Sequence, residues 1–194
     1  MKPQKELQRK AIHLGTVILP MILLHLSQRD GKLFLALLTA IAIVVEILRL
    51  EWEPFKKVFN AMFGDMLKEK EVKNLTGATA FISTALFCAV IFNWNIVVLS
   101  IFFLSIGDPV ASVIGSRFGK ITVFGDKTLE GFLAFLLSTI PIAFLYPLLP
   151  LSVRIIGAFA AAFFELIKTP IDDNVVVLVG SNTVMQIAMF FAAK

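Results

Sequence analysis

A carboxylate inside an apolar segment is the feature of this sequence most able to do chemistry. Asp108 lies in a long stretch that contains no other charged residue. A charge in hydrocarbon is costly, so such residues usually face a functional interior rather than lipid. A second acid and three cations follow within a short distance: Arg117, Lys120, Lys127 and Glu130. Because guanidinium and ammonium groups neutralise phosphates well, this grouping predicts a site for a phosphorylated substrate.

A second acidic group precedes the last apolar segment. Asp172 and Asp173 are adjacent and are followed by Asn174. Hard oxygen ligands suit Mg²⁺, which usually takes one or two carboxylates together with substrate phosphates. The sequence therefore predicts Asp172 and Asp173 as ligands of Mg²⁺ or another divalent cation, with Glu165 as a further candidate. A solvated turn capped by Asn174 is the simpler alternative.

The elements that carry these residues belong to an integral membrane protein. The 194-residue chain is 58% hydrophobic and 16% charged, with a mean hydropathy of +0.86, which excludes an ordinary soluble domain. At about 20 residues per span, the helices use almost the whole chain, so we expect a single transmembrane catalytic domain over 1–194. The net charge of +4 indicates basic loops near anionic headgroups and does not point to nucleic acid.

The hydropathy pattern predicts an all-α, polytopic fold with about seven transmembrane helices. The predicted spans are 11–27, 33–50, 75–92, 95–115, 131–149, 152–167 and 175–193. This division places 14 of the 18 Lys and Arg residues on one side, which predicts a cytoplasmic N-terminus. Charged and apolar residues alternate at helical spacing over 51–73, which predicts an amphipathic helix at the cytoplasmic interface. That segment is either a plain connector or has a role in lipid access.

Most polar residues of the predicted spans lie near their cytoplasmic ends. They are His13, Glu46, Thr76, Gly77, Thr79, Asp108, Glu130, Glu165 and 172–174. We therefore expect one polar cavity that faces the cytoplasm. A transporter would carry ionisable groups near the midplane, so chemistry at the inner leaflet is favoured and a small membrane transporter is kept as an alternative.

Small residues recur every four positions around Asp108. Gly107, Ala111 and Gly115 share one face of the predicted helix. Such spacing lets a neighbouring backbone approach closely. We interpret this face as a helix-packing seam.

Taken in order, the motifs resemble those of the CTP-dependent lipid kinase family, which includes dolichol kinase, phytol kinase and the yeast-type diacylglycerol kinase. The matching positions are Glu6, Arg9, Lys10 and His13, then Gly107-Asp108-Pro109 with Ala111, Gly115 with Gly119-Lys120, Lys127-Thr128 with Glu130-Gly131, Glu165, and Asp172-Asp173-Asn174. The resemblance covers nearly the whole chain. It implies transfer of the terminal phosphate of CTP to a membrane alcohol, with a divalent metal. Because the chain is short beside eukaryotic dolichol kinases, a prokaryotic cell membrane is the expected location.

The resemblance also implies roles for individual residues. Asp108, Asp172 and Asp173 would hold the metal, and Asp108 or Glu130 would accept the alcohol proton, with Lys127 beside them. The residues expected to bind nucleotide and phosphate are Arg117, Gly119, Lys120, Lys127, Thr128 and Asn174, and Arg9, His13 and Glu165 are additional candidates. Phosphatidate cytidylyltransferase is the alternative enzyme, although its C-terminal histidine motif is missing from the sequence. The lipid alcohol stays open between a polyprenol such as dolichol, a phytol-like isoprenoid and diacylglycerol.

Overall fold

The computed structural model describes residues 12–67 and 69–192, and most of them are helical. The main helices are α1 (Ile18–His25), α2 (Gln28–Glu51), α3 (Glu53–Phe63), α4 (Gly77–Ile91), α5 (Trp94–Phe118), α6 (Leu129–Leu145), α7 (Leu151–Leu166) and α8 (Asp173–Ala192). Two short 3₁₀ turns, Gly64–Met66 and Glu69–Val72, connect α3 to α4. Arg9, one of the predicted site residues, lies outside the described residues.

Helix α5 forms the centre of the bundle. Three helices, α2, α5 and α8, are long and apolar enough to cross a membrane. In α5, 78% of the most apolar stretch is buried, against 22% in α2 and 28% in α8. Asp108 therefore lies on the helix that the others surround, which agrees with the expectation that it faces an interior.

The remaining predicted spans correspond to shorter helices. Helices α4, α6 and α7 have 15, 17 and 16 residues, fewer than the roughly 20 that a perpendicular crossing takes. The all-α prediction fits the described structure. Seven crossings and a cytoplasmic N-terminus stay predictions.

The small-residue seam of α5 packs against α6. A Cβ atom added at Gly107 would overlap the ring of Phe135, and one added at Gly115 would lie 3.0 Å from the Thr128 hydroxyl oxygen. Gly131 of α6 in turn approaches the backbone of Ala111. The packing interpretation of these small residues is confirmed, and the seam brings the start of α6 close to α5.

Two segments differ from expectation. The amphipathic helix predicted over 51–73 ends at Phe63. Beyond it, Arg49 binds the carbonyl oxygens of Glu71 and Asn74, at 3.0 and 2.6 Å, so those carbonyls do not need helical partners. In the loop after α5, a two-stranded antiparallel hairpin forms from β1 (Thr122–Phe124) and β2 (Lys127–Thr128).

The hairpin turn requires glycine. Gly125 has a φ of +62°, a conformation that residues with a Cβ rarely adopt. The turn reverses the chain so that β2 leads directly into α6, whose first turn is capped by Thr128 through a 3.1 Å hydrogen bond from the Gly131 N–H. Lys127 is therefore held between a tight turn and a capped helix.

Candidate active site

A cavity of about 930 Å³ opens where the helices α2 to α8 meet. Its polar lining combines residues from most of the motifs: His13, Glu46, Glu71, Thr76, Thr79, Asp108, Ser112, Asp126, Lys127, Thr128, Glu165, Asp173 and Asn174. The rest of the lining is largely apolar. The structure thus brings together in one cavity most of the polar residues that the sequence placed at one end of the helices.

Lys127 is the centre of the charged cluster in this cavity. Its ammonium donates a short hydrogen bond to Glu165 Oε1 and a second, of 3.1 Å, to Asp173 Oδ2. Burial opposes the charge on Lys127, but the carboxylates of Glu165 and Asp173, with Asp108 behind them, outweigh it and raise the pKa of Lys127 above its usual range. Lys127 therefore stays protonated at every physiological pH.

Asp108 is buried in α5, next to a proline within the helix. Because Pro109 has no N–H, the helix lacks one backbone hydrogen bond at this turn. Oδ2 of Asp108 lies 3.8 Å from Nε2 of His13, which forms an ion pair when the histidine is protonated. His13, a candidate from the first motif, is thereby brought to the carboxylate that the sequence singled out.

Glu165 supplies a buried oxygen that no described residue satisfies. Its Oε1 atom accepts from Lys127, whereas Oε2 has no hydrogen-bond partner among the described residues. Buried polar atoms are rarely left unpaired in native structures, and the exceptions are often at functional sites. Within 12–67 and 69–192, no three His, Cys, Asp or Glu side chains form a ready-made metal cage. The oxygens of Asp108, Glu165 and Asp173 nevertheless line one cavity.

Asp172, a predicted metal ligand, makes hydrogen bonds that cap the start of α8. Its Oδ1 atom accepts hydrogen bonds from the Asn174 backbone N–H at 3.2 Å and from Asn174 Nδ2 at 2.8 Å. This arrangement caps the helix, so the cap is Asp172 rather than Asn174. Among the described residues, the cavity lining includes Asp173 and Asn174 but not Asp172. Asn174 also donates to the Gly77 carbonyl oxygen at 3.1 Å and ties α8 to α4.

Besides Asp172, four predicted site residues do not belong to the described cavity lining: Arg117, Gly119, Lys120 and Glu130. Arg117 and Lys120 are exposed at the end of α5. Both carboxylate oxygens of Glu130 lie 3.3 Å from the Ile121 backbone nitrogen, which donates to them. Successive helix positions point about 100° apart, so Gly131 faces the cavity and Glu130 faces the hairpin. Proton acceptance by Glu130 is therefore not supported by its position.

Arg49 is not among the residues that were predicted from the sequence to form the site. Its guanidinium is buried and bonds Glu46 Oε2 through Nε at 2.8 Å and Nη2 at 2.5 Å. The other oxygen of Glu46 accepts from the Thr76 N–H at 2.7 Å and the Thr79 hydroxyl at 2.9 Å. The available signal was the spacing, since a Glu and an Arg three positions apart in an apolar helix predict a mutual pair.

Comparisons with known proteins show three informative similarities. CTP-dependent diacylglycerol kinase 1 of Eremothecium gossypii is 27% identical over 73% of this chain and 46% of its own length. The protein of the same name in Schizosaccharomyces pombe is 24% identical over 95% of this chain and 94% of its own length. The uncharacterized protein MJ1137 of Methanocaldococcus jannaschii is 32% identical over 88% of this chain and 87% of its own length. The two named kinases support a place for the chain in the CTP-dependent lipid kinase family.

The extent of these matches differs between relatives. The chain spans about half the length of the Eremothecium gossypii protein. It is close to coextensive with the Schizosaccharomyces pombe and Methanocaldococcus jannaschii proteins. No protein-family model matches the chain, and no solved structure matches it significantly.

Proposed function

We propose that this protein transfers the terminal phosphate of CTP to the hydroxyl group of a membrane alcohol. The observation that carries the proposal is the cluster of Lys127, Glu165, Asp173 and Asp108 in one cavity of a membrane protein. The family relationship adds the nucleotide, because two of the relatives are named for CTP. The same names make diacylglycerol the first alcohol to test, ahead of a polyprenol or a phytol-like isoprenoid.

In the proposed reaction, the alcohol oxygen attacks the terminal phosphorus of CTP and the bond to the bridging oxygen breaks. CDP leaves, and the hydroxyl proton passes to the carboxylate of Asp108, whose Oδ2 atom lies 3.8 Å from Nε2 of His13. Lys127 neutralises the transferred phosphate, because its ammonium stays charged and lies in the same cavity. Catalysis of this kind rests mainly on positioning and charge stabilisation.

The donor set fits a divalent cation. Asp108, Glu165 and Asp173 offer hard carboxylate oxygens, and Oε2 of Glu165 has no hydrogen-bond partner within the described part of the chain. This is the ligand class that Mg²⁺ uses when substrate phosphates complete its shell. Bound there, the ion would supply charge neutralisation of the nucleotide phosphates. Asp173 and Asp108 are shared with the set predicted from sequence, whereas Glu165 is favoured over Asp172.

The proposal includes a topology. The whole chain acts as one transmembrane catalytic domain with about seven spans, and the N-terminus and the cavity face the cytoplasm. The distribution of Lys and Arg supports this orientation. A prokaryotic cell membrane is the expected location, and the lipid alcohol reaches the cavity from the inner leaflet.

The test uses purified protein with Mg²⁺, lipid alcohols, phosphatidate and CTP labelled at either the α or the γ phosphate. Transfer of γ label into a lipid product supports the kinase, and migration of the product names the alcohol. Transfer of α label would indicate a phosphatidate cytidylyltransferase and overturn the proposal. If neither label enters lipid, a small membrane transporter becomes the leading alternative.

A further inference from the structure

Helix α3 and the residue before it carry a row of aromatic side chains, here named the aromatic ladder: Trp52, Phe55, Phe59 and Phe63. Neighbouring ring centroids lie 6.5, 6.3 and 5.2 Å apart along the row. Residues spaced by three or four positions share one helix face, so the rings form a continuous strip. No residue of α3 is fully buried, although its apolar face is broad.

One part of this apolar face lines the cavity and another part faces outward. Phe59 and Phe63 belong to the cavity lining, together with Met66 and Leu67 of the following turn. Val58 and Met62, on the adjoining side of the helix, are 59% and 63% exposed. A single apolar surface therefore runs from the outside of the protein into the cavity.

The ladder is held in place by Arg49. The guanidinium carbon lies 5.6 Å from the centroid of the Phe59 ring, a distance typical of a cation–π contact. The same guanidinium is bonded to Glu46 and to backbone carbonyl oxygens of the α3–α4 connection. The Phe59 ring therefore packs on a guanidinium whose nitrogens all have hydrogen-bond partners. This contact holds the ring at the cavity wall.

A chain of contacts links the ladder to the charged cluster. Glu46 joins Arg49 to Thr76 at the start of α4, and Asn174 joins the Gly77 carbonyl to α8. Asp173, next to Asn174, then contacts Lys127. The apolar side of the cavity, at the ladder, is therefore connected to its charged side, at Lys127, through only a few residues.

We propose that the aromatic ladder, through Phe59 and Phe63, binds the hydrocarbon tail of the lipid substrate and guides it from the bilayer into the cavity. This inference rests on the proposed function and adds the place where the tail binds. An alcohol whose tail lies along the ladder presents its hydroxyl to the polar part of the lining. Bulk lipid touches the exposed Val58 and Met62, whereas a substrate tail must also reach Phe59 and Phe63 inside.

Photolabelling tests the binding site without turnover. The full-length protein in phosphatidylcholine vesicles is irradiated with a diacylglycerol that carries a diazirine in its acyl chain. Trypsin cleavage after Lys57 and Lys68 releases peptide 58–68, which contains both cavity-lining phenylalanines. We expect label in this peptide, and we expect excess unlabelled diacylglycerol or polyprenol to remove it while triacylglycerol, which lacks the hydroxyl, does not. Label that no alcohol displaces would assign the ladder to bulk lipid and overturn the inference.

A matched pair of variants tests the same site kinetically. Phe63→Ala removes a cavity-lining ring, and Met62→Ala removes an apolar side chain that is next to it but outside the described cavity lining. Phe63 is 41% exposed, so its truncation leaves no sealed core void. We expect Phe63→Ala to raise the KM for a long-chain alcohol about fivefold or more, with the KM for CTP unchanged, and Met62→Ala to remain near wild type. Equal effects of the two variants would contradict the inference.

The two proposals fail in different ways. Displaceable label without phosphate transfer would support the tail-binding site and contradict the proposed kinase activity. Phosphate transfer without displaceable label in peptide 58–68 would support the kinase activity and contradict the tail-binding site.

Discussion

Two charged clusters border the same cavity, and they differ in how many of their polar atoms have a hydrogen-bond partner. In the Arg49–Glu46 pair, both carboxylate oxygens and all three guanidinium nitrogens have partners within the protein. In the Lys127 cluster, Oε2 of Glu165 has none among the described residues. The first pair connects α2 to the α3–α4 connection and to the start of α4. The second offers a buried carboxylate oxygen beside the cavity.

This difference separates a structural from a functional use of buried charge. A satisfied pair holds its surroundings in one arrangement, and removing one partner leaves an uncompensated charge. An unsatisfied cluster carries a desolvation cost that a bound cation or phosphate can offset. We therefore expect changes at Arg49 to appear mainly in stability and changes at Lys127 mainly in activity.

The largest expected effect is that of Lys127→Met. In the proposed reaction, loss of the ammonium removes the charge that neutralises the transferred phosphate, so lipid phosphorylation should fall by about a thousandfold, the scale of losing a positioned cation in phosphoryl transfer. The measurement is γ-label transfer from CTP, with Lys168→Met as a matched control in the exposed pair with Asp126. Full activity in Lys127→Met would show that the open cluster is not the phosphate site.

Asp108→Asn is expected to rank second. The amide keeps the shape of the carboxylate but does not accept a proton, so turnover should drop by about a hundredfold, the lower end of the range for loss of a general base. The thermal midpoint in detergent should stay close to wild type, because the variant is expected to lose turnover without unfolding. The matched control is Glu130→Gln, outside the described cavity lining. A larger loss in Glu130→Gln than in Asp108→Asn would reverse the assignment of the base.

Arg49→Met tests the satisfied cluster. Breaking this buried pair leaves Glu46 without its counter-charge, so the free energy of unfolding should fall by about 3–5 kcal/mol. The double variant with Glu46→Gln should recover part of that loss, which a double-mutant cycle in denaturant measures. Protein that remains folded should keep its turnover number. If the turnover number falls while stability holds, Arg49 belongs to the site rather than to the scaffold.

The exposed pair of Asp126 and Lys168 should give the smallest effect. Lys168 and Asp126 are 59% and 77% exposed, so Lys168→Ala should cost less than about 1 kcal/mol of unfolding free energy. The hydrogen bond from Lys168 lowers the pKa of Asp126. The contribution of this pair to the free energy of unfolding is therefore present above the unfolded-state pKa of Asp126. It is lost as the pH falls through the lower folded-state pKa. Melting curves at low and high salt measure it, and a salt-independent loss would contradict a surface pair.

Part of the site was predictable because polar residues in apolar helices avoid lipid. That rule placed Asp108, Glu165 and Asp173 in one interior although they lie on three different helices. The Gly107, Ala111 and Gly115 spacing predicted the seam that packs α5 against α6. The rule did not separate Glu130 from Gly131, because both lie at the start of one helix and only its rotation decides which of them faces the cavity.

The sequence by itself determined a membrane protein of apolar helices, its packing seam and the carboxylates that must avoid lipid. These follow from composition and helical periodicity, which are local properties. Only the tertiary structure decided that Lys127 pairs with Glu165 and Asp173, that Arg49 is bonded on all sides, and that α3 borders the cavity. Each of these depends on contacts between residues distant in the chain, and no local pattern specifies which distant partner a buried charge will meet.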